Sequence, residues 1–114
     1  MPTIRDVSII DSNKAKAVAV KSGFEREICS PSLCGSKNLT VSRRTILKGR
    51  QFAVDAGKDY HLIYVMQGSA RGQVQFKGKS HAAEEGAGVL LAPGESAKFD
   101  ATGADLELLH MITP

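Results

Sequence analysis

The 114-residue sequence predicts an all-β protein, a sandwich or barrel of short strands. Helix-type periodicity is scarce, eleven glycines are spread along the chain, and β-type runs recur between turn residues. The runs are TVSRRTIL, HLIYVM, QVQF, GVLLA and LELLHMIT. Short runs at this spacing are typical of two packed sheets. The length suits a single core, so we expect residues 1–114 to form one domain.

The first 38 residues give the weakest signal and are expected to add strands to a barrel formed by residues 39–114. DVSII is a candidate strand. SNKAKAVAVKSG fits a short helix or a strand, and the alternation of Ala15, Ala17 and Ala19 favours the strand. FEREIC alternates apolar and charged residues with a period of two, which predicts a half-buried strand. SPSLCGSKN collects turn residues.

Two cysteines, Cys29 and Cys34, lie in the segment ICSPSLCG. A single pair without a second pair is a poor zinc signal. We therefore expect one packed thiol and one loop thiol, with a disulfide or a redox role as alternatives.

LTVSRRTIL predicts a strand in which either Arg43 or Arg44 points inward, because alternate residues face opposite sides. An unpaired buried arginine is costly. The inward arginine therefore meets an acidic partner or a ligand, or the strand is partly exposed. We expect the partly exposed strand.

The stretch GRQFAVDAGKDYHLIYVMQG, from Gly49 to Gly68, reads as a polar loop that leads into the strand HLIYVM. His61, Ile63 and Val65 form one face of that strand, and its other face is also apolar. Such a strand needs a second sheet or another subunit to cover it. This pattern predicts a homodimer.

The last third of the chain predicts a hairpin and further strands. QVQFKGKSH turns at Lys77–Gly78, and GVLLA precedes a Pro-Gly turn. In LELLHMIT, an outward Glu107 places His110 on the inner face, as His61 is on its own strand. His81 lies in a polar strand and is expected at the surface.

Charge and hydropathy exclude several classes of function. The net charge is +3, and the basic residues are scattered rather than clustered as a nucleic-acid surface requires. The sequence contains neither an apolar run of about 20 residues, as a membrane helix needs, nor the pattern of a signal peptide. We expect a cytoplasmic protein that binds neither nucleic acid nor membrane.

The glycine spacing resembles that of the cupin superfamily, small jelly-roll barrels of two antiparallel sheets. The first cupin motif is Gly, five residues, His-x-His, three or four residues, Glu, six residues, Gly. Gly49 and Gly68 stand at its ends, with Asp55, Gly57 and His61 at the ligand positions. The second motif is matched by its two glycines, and the remaining positions differ. The matching glycines are Gly86 and Gly94. The differing positions are Ala92, Ala97 and Ala101, where the motif has Pro, His and Asn.

The resemblance implies a cupin-type jelly roll with a degenerate metal site. In metal-binding cupins the motif ligands surround one ion, but Gly57 and Ala97 offer no side-chain ligand. A catalytic metal usually takes three protein ligands, so we expect no cofactor. The alternative is Fe, Mn, Ni or Zn held by Asp55, His61 and His110, a two-histidine, one-carboxylate set.

The resemblance also implies a His–Asp pair like that of metal-independent cupin epimerases. Asp55 would orient His61 for acid/base catalysis, while His110, Ile63 and Val65 contact a small polar substrate. Tyr60 and Tyr64 are expected to face away from His61. Three classes stay open: a metal-independent isomerase, cyclase or lyase; a non-catalytic small-molecule-binding protein; and a metal-dependent dioxygenase-like enzyme.

Overall fold

The computed structural model describes residues 11–30, 35, 38–66 and 72–114. The candidate strand DVSII, Cys34 and Gly68 lie outside these residues. The strands are β1 (Val18–Val20), β2 (Gly23–Cys29), β3 (Thr40–Ile46), β4 (Gln51–Asp55), β5 (Tyr60–Val65), β6 (Gly72–Phe76), β7 (Lys79–Ala83), β8 (Gly88–Leu91), β9 (Ser96–Asp100) and β10 (Leu106–Thr113). The part of the chain described here contains no helix that could span a membrane.

The strands form two antiparallel sheets, so the predicted all-β jelly roll is confirmed. The larger sheet has the order β1-β2-β3-β10-β5-β8, and the smaller has the order β4-β9-β6-β7. Chain neighbours such as β3 and β4 lie in different sheets. This alternation between sheets is what makes the two-sheet sandwich a jelly roll.

Strand β5 shows how alternation builds the barrel. His61, Ile63 and Val65 are buried, whereas Tyr60, Leu62 and Tyr64 are exposed on the outer side. Its neighbour β10 follows the same rule, with Leu106, Leu108 and His110 buried. Both predicted inward faces are confirmed, because a period of two leaves each strand one buried side.

Strand β4 corrects the expectation of a polar loop after Gly49. Gln51–Asp55 pairs along its whole length with β9, from Gln51 opposite Asp100 to Asp55 opposite Ser96. Phe52 and Val54 face the core, and the residues between them face outward. The segment QFAVD therefore has the apolar–polar alternation of a strand.

The N-terminal strands extend the edge of the larger sheet. β1 covers three residues of the segment for which a strand was favoured, and residues 12–15 form turns. β2 matches the predicted strand FEREIC. Cys29, the last residue of β2, is disulfide-bonded, so the expected packed free thiol is wrong and the alternative of a disulfide applies.

The core fills the space between the two sheets. Its largest fully buried side chains come from both: Ile46, Ile63, Val65, Leu91, Leu106 and Leu108 from the larger sheet, and Phe99 from the smaller. Each such side chain contributes about 1.5–3 kcal/mol through burial. Ala97, at the second-motif histidine position, also faces this interior.

Candidate functional site

His61 and His110 form a buried hydrogen-bonded pair inside the barrel. They lie on the adjacent strands β5 and β10, two residues apart in register, since His110 is opposite Ile63 and His61 is opposite Ile112. The His61 Nδ1 atom is 2.8 Å from His110 Nε2. Exposed fractions are 7% for His61 and 3% for His110.

Arg44 on β3 continues this pair into a row of polar side chains. Its Nε–H donates to His110 Nδ1 at 3.0 Å, and its Nη1 lies 3.2 Å from Glu25 Oε2 on β2. Ser42 Oγ–H donates to the other carboxylate oxygen of Glu25 at 3.4 Å. We call Glu25, Arg44, His110 and His61 the polar row. It crosses four strands of the larger sheet.

Strand β3 is partly exposed, as expected, since most of its residues are half-buried. Its inward arginine is Arg44, whose side chain keeps 15% of its surface exposed and which also meets an acidic partner, Glu25. Phe52 of the opposite sheet also covers it, with the guanidinium 4.6 Å from the ring centroid. The same ring meets His110 edge-on at 5.8 Å. Buried polar groups need such partners, because an unpaired charge in the interior is costly.

His110 is held neutral by its surroundings. Burial, the positive charge of Arg44 and the neighbouring His61, in that order of importance, together lower the pKa of His110 to about 3. Desolvation disfavours the charged imidazolium, and a neighbouring cation adds repulsion. The imidazole therefore acts in the row as a neutral hydrogen-bonding group.

Asp55 does not join His61, so the expected His–Asp pair is not formed. The Asp55 side chain is exposed on the outer face of β4, because Val54 and Ala56 on either side of it are buried. Its Oδ1 accepts a hydrogen bond from the Gly57 backbone N–H at 3.1 Å, which caps the turn after the strand. His110 holds the position beside His61 that was expected for Asp55.

The residues present fit a metal poorly. Asp55 faces away from the two histidines, and the described residues contain no group of three or more His, Cys, Asp or Glu side chains that could hold an ion. The facing nitrogens of His61 and His110 bond to each other, and Arg44 occupies the remaining nitrogen of His110. The positive guanidinium would also repel a cation. The set Asp55, His61 and His110 therefore does not converge on one point.

Other predicted residues fall into three groups. Ile63 and Val65 are packed in the core with no exposed surface, so neither lines an open cavity. His81 is exposed, as predicted. Tyr60 and Tyr64 are exposed on the outer face and point away from His61, also as predicted.

The sequence reasoning missed Glu25 and Arg44 as a pair. They are cross-strand partners in the register of β2 and β3. A signal existed, since opposite charges facing each other across neighbouring strands stabilise a sheet. Recognising it requires the register of β2 against β3, which the sequence alone does not give. A cavity of about 370 Å³ opens beside Glu25, where Ala15, Lys16, Val18 and Glu27 also line it.

Comparisons with known proteins identify structures but no sequence relative. No protein-family model and no curated protein matches the chain. A predicted oxalate decarboxylase from Thermotoga maritima has a TM-score of 0.81 at 18% identity, covering 93% of this chain and 98% of that one. The polyketide cyclase RemF from Streptomyces resistomycificus has a TM-score of 0.80 at 15% identity, with coverages of 95% and 80%.

An RmlC-like cupin from Shewanella frigidimarina has a TM-score of 0.75 at 11% identity, covering 91% of this chain and 87% of that one. The chain has the fold of a small cupin, as the glycine spacing predicted. Identities this low show the fold alone. A predicted decarboxylase and a cyclase share it, so the fold does not choose an activity.

Proposed function

We propose that this chain is a small-molecule-binding cupin whose ligand meets His61 inside the barrel without a metal. The ligand is a small polar molecule that enters at the end of the barrel where β5 begins. His61 is the second residue of that strand.

The observation that supports this proposal is the state of the His61 ring. Its Nδ1 is bonded to His110, while its Nε2 has no hydrogen-bond partner among the described residues. Among the described residues, the fully buried side-chain atoms that have no partner are Arg26 Nε and Asp100 Oδ1. His61 Nε2 is not one of them, so this atom keeps some exposed surface. A ring held rigidly from one side and accessible on the other is suited to binding a ligand.

A thermal-shift panel tests this proposal, with small carboxylates, keto acids, sugars and sugar acids added in EDTA. We expect at least one compound to raise the melting temperature of the wild type and of Asp55→Asn, but not of His61→Gln. Asp55→Asn is the matched control, because it changes a motif position that faces outward. Binding of no compound in EDTA, equal binding by His61→Gln, or binding that appears only with an added divalent metal would each contradict the proposal.

A catalytic role of the isomerase, cyclase or lyase type is the second candidate. The serial hydrogen bonds from Arg44 through His110 to His61 favour it, since they would stabilise an oxygen that gains negative charge during a reaction. The assay is exchange of a carbon-bound proton for deuterium in a bound compound, followed by proton NMR in D2O. Exchange that the wild type accelerates and His61→Gln does not would support catalysis. Equal exchange rates in the wild type and in His61→Gln would contradict the catalytic role and leave small-molecule binding as the proposed function.

We also propose that two copies pair through the outer apolar face, defined as Tyr60, Leu62, Tyr64 and Leu90. These side chains lie on the outer sides of β5 and β8, and between 38% and 62% of each is exposed. None carries a charge. A face of this kind suits a self-complementary contact between identical subunits.

A further inference from the structure

We propose that Arg44 fixes both histidines of the polar row as Nε2–H tautomers, so that His61 presents a hydrogen-bond donor to the ligand. The site is then specific for molecules that carry an acceptor oxygen, such as a carboxylate or a carbonyl oxygen. This inference rests on the proposed function, because it names the ligand class of the same site. Arg44 acts as a positioning residue, since it touches His110 rather than the ligand.

The first step is the bond from Arg44 to His110. An arginine Nε–H donates and cannot accept. His110 Nδ1, 3.0 Å away, must therefore be the unprotonated nitrogen of its ring. A neutral imidazole has one N–H, which in His110 then lies on Nε2.

The second step passes this choice to His61. The Nε2–H of His110 donates to His61 Nδ1 across 2.8 Å, so His61 Nδ1 also accepts. The proton of a neutral His61 is therefore on Nε2, the atom without a partner in the described chain. In the opposite tautomer of His110, the N–H groups of Arg44 Nε and His110 Nδ1 would face each other as two donors. His110 Nε2 would then carry no proton and could not donate to His61 Nδ1.

The third step is what holds Arg44 in place. Glu25 binds its Nη1 at 3.2 Å, and the Phe52 ring covers the guanidinium at 4.6 Å. Glu25 is in turn held by Ser42. An arginine fixed on three sides presents its Nε–H in one direction, so the direction of donation along the row is fixed as well.

The chemical consequence concerns selectivity. A resting His61 with its proton on Nε2 is a donor and cannot take a proton there, so it is not a general base. It stabilises an acceptor oxygen of the ligand, and negative charge on that oxygen is favoured by the Arg44 cation, which reaches His61 through His110. A ligand that offers only donors would face the His61 N–H without a partner.

Long-range proton–nitrogen NMR of the ligand-free protein with 15N-labelled histidine tests the tautomers directly. We expect His61 and His110 both to give the Nε2–H pattern at pH 7, with the exposed His81 as a reference signal. A wild-type His61 in the Nδ1–H form would overturn the inference, and this result needs no variant.

Variants test the role of Arg44. We expect Arg44→Met to give a mixture of His110 tautomers, because it removes the donor but keeps the length of the side chain. Arg44→Lys should restore the Nε2–H form by supplying another donor. The matched control is Arg43→Met, which breaks an ion pair with Glu107 on the outer face and should leave the tautomers unchanged. Tautomers in Arg44→Met that equal those in Arg43→Met would contradict the inference.

The compounds that bind in the thermal-shift panel test the ligand class. We expect each to carry an acceptor oxygen and to bind about tenfold more weakly to Arg44→Met than to Arg43→Met, as the loss of one positioned hydrogen bond implies. Binding by methylammonium, which offers only donors, would contradict the ligand class. Failure of the whole panel with the expected tautomers present would instead contradict the proposed function.

Discussion

At the scale of single residues, the four members of the polar row differ in what they need from the fold. Glu25 and Arg44 are charged and satisfy each other, whereas His110 is buried at 3% exposure and stays neutral. His61 depends on the other three for its orientation. The polar row therefore runs from the carboxylate of Glu25, which is 33% exposed, to the buried imidazole of His61.

The lowered pKa of His110 predicts a pH dependence of stability. Its ordinary value is 6.5 and its folded value is about 3. Between these values the unfolded chain binds a proton that the folded chain does not. The stability that His110 contributes is therefore fully present above pH 6.5 and is lost as the pH falls towards 3. From the size of the pKa shift, the loss in the free energy of unfolding is on the order of a few kcal/mol.

Urea unfolding at several pH values measures this effect in the wild type, in His110→Gln and in His81→Gln. We expect the slope of the free energy of unfolding against pH, between pH 4 and pH 6.5, to be smaller in His110→Gln. His81→Gln should keep the slope of the wild type, because His81 is exposed. Equal slopes in all three proteins would mean that His110 is not the titrating group.

The sequence predicts His61 and His110 as inward residues because each alternates with apolar residues on one face of its strand, His61 with Ile63 and Val65, and His110 with Leu106 and Leu108. Sequence reasoning misplaced Asp55 because the motif spacing was followed instead of the alternation of Phe52, Val54 and Ala56. That alternation places Asp55 outside. The motif spacing fixes a residue's position along the chain, but the pleat of the strand determines which face of the sheet its side chain is on. A shift of one residue moves the side chain to the opposite face.

At the scale of elements, close contact between β2 and β3 depends on Gly23. This residue has a φ of +150°, and a Cβ added there would lie 2.1 Å from the Thr45 carbonyl oxygen. Any side chain must push the two strands apart. The register that places Glu25 opposite Arg44 begins at this contact.

We expect Gly23→Ala to lower the free energy of unfolding by about 3 kcal/mol or more, through backbone strain and steric clash together. Gly49→Ala is the matched control. Its φ is +81°, but a Cβ would have open space, so its cost should be about 1 kcal/mol. Urea unfolding compares the two. Equal losses would show that the strands can separate at Gly23 without penalty.

The elements were well predicted where alternation is regular and poorly where it is weak. The sequence predicts β2, β3, β5 and β10, each of which is a run of β-type residues bounded by turn residues. The sequence predicts a loop at β4, because the segment is short, comes soon after a glycine and ends on Asp55. Its pairing with β9 is a long-range property that the local composition does not encode.

At the scale of the whole molecule, the outer apolar face predicts self-association. We expect the wild type to sediment as a dimer and Leu90→Lys to sediment as a monomer, because a buried lysine without a partner opposes the contact. Val18→Lys is the control, since Val18 is similarly exposed but lies on the inner face opposite Glu25. A monomeric wild type, or a dimeric Leu90→Lys, would contradict pairing through this face.

The sequence could predict the barrel but not the site within it. Glycine spacing and alternation are local properties that determine the fold. The polar row joins residues 25, 44, 61 and 110, which meet only because of the order β2-β3-β10-β5 in the larger sheet. Reading such a row requires the register of three strand pairs at once.

We propose that His61, held by His110 and Arg44, contacts a small molecule without a metal. Titration of the panel's best compound into 15N-histidine protein in EDTA tests it most directly. We predict that the His61 Nε2 signal shifts in a saturable way while the His81 signal stays unchanged. Saturable binding that leaves the His61 signal unmoved, or binding that requires an added divalent metal, would contradict the claim.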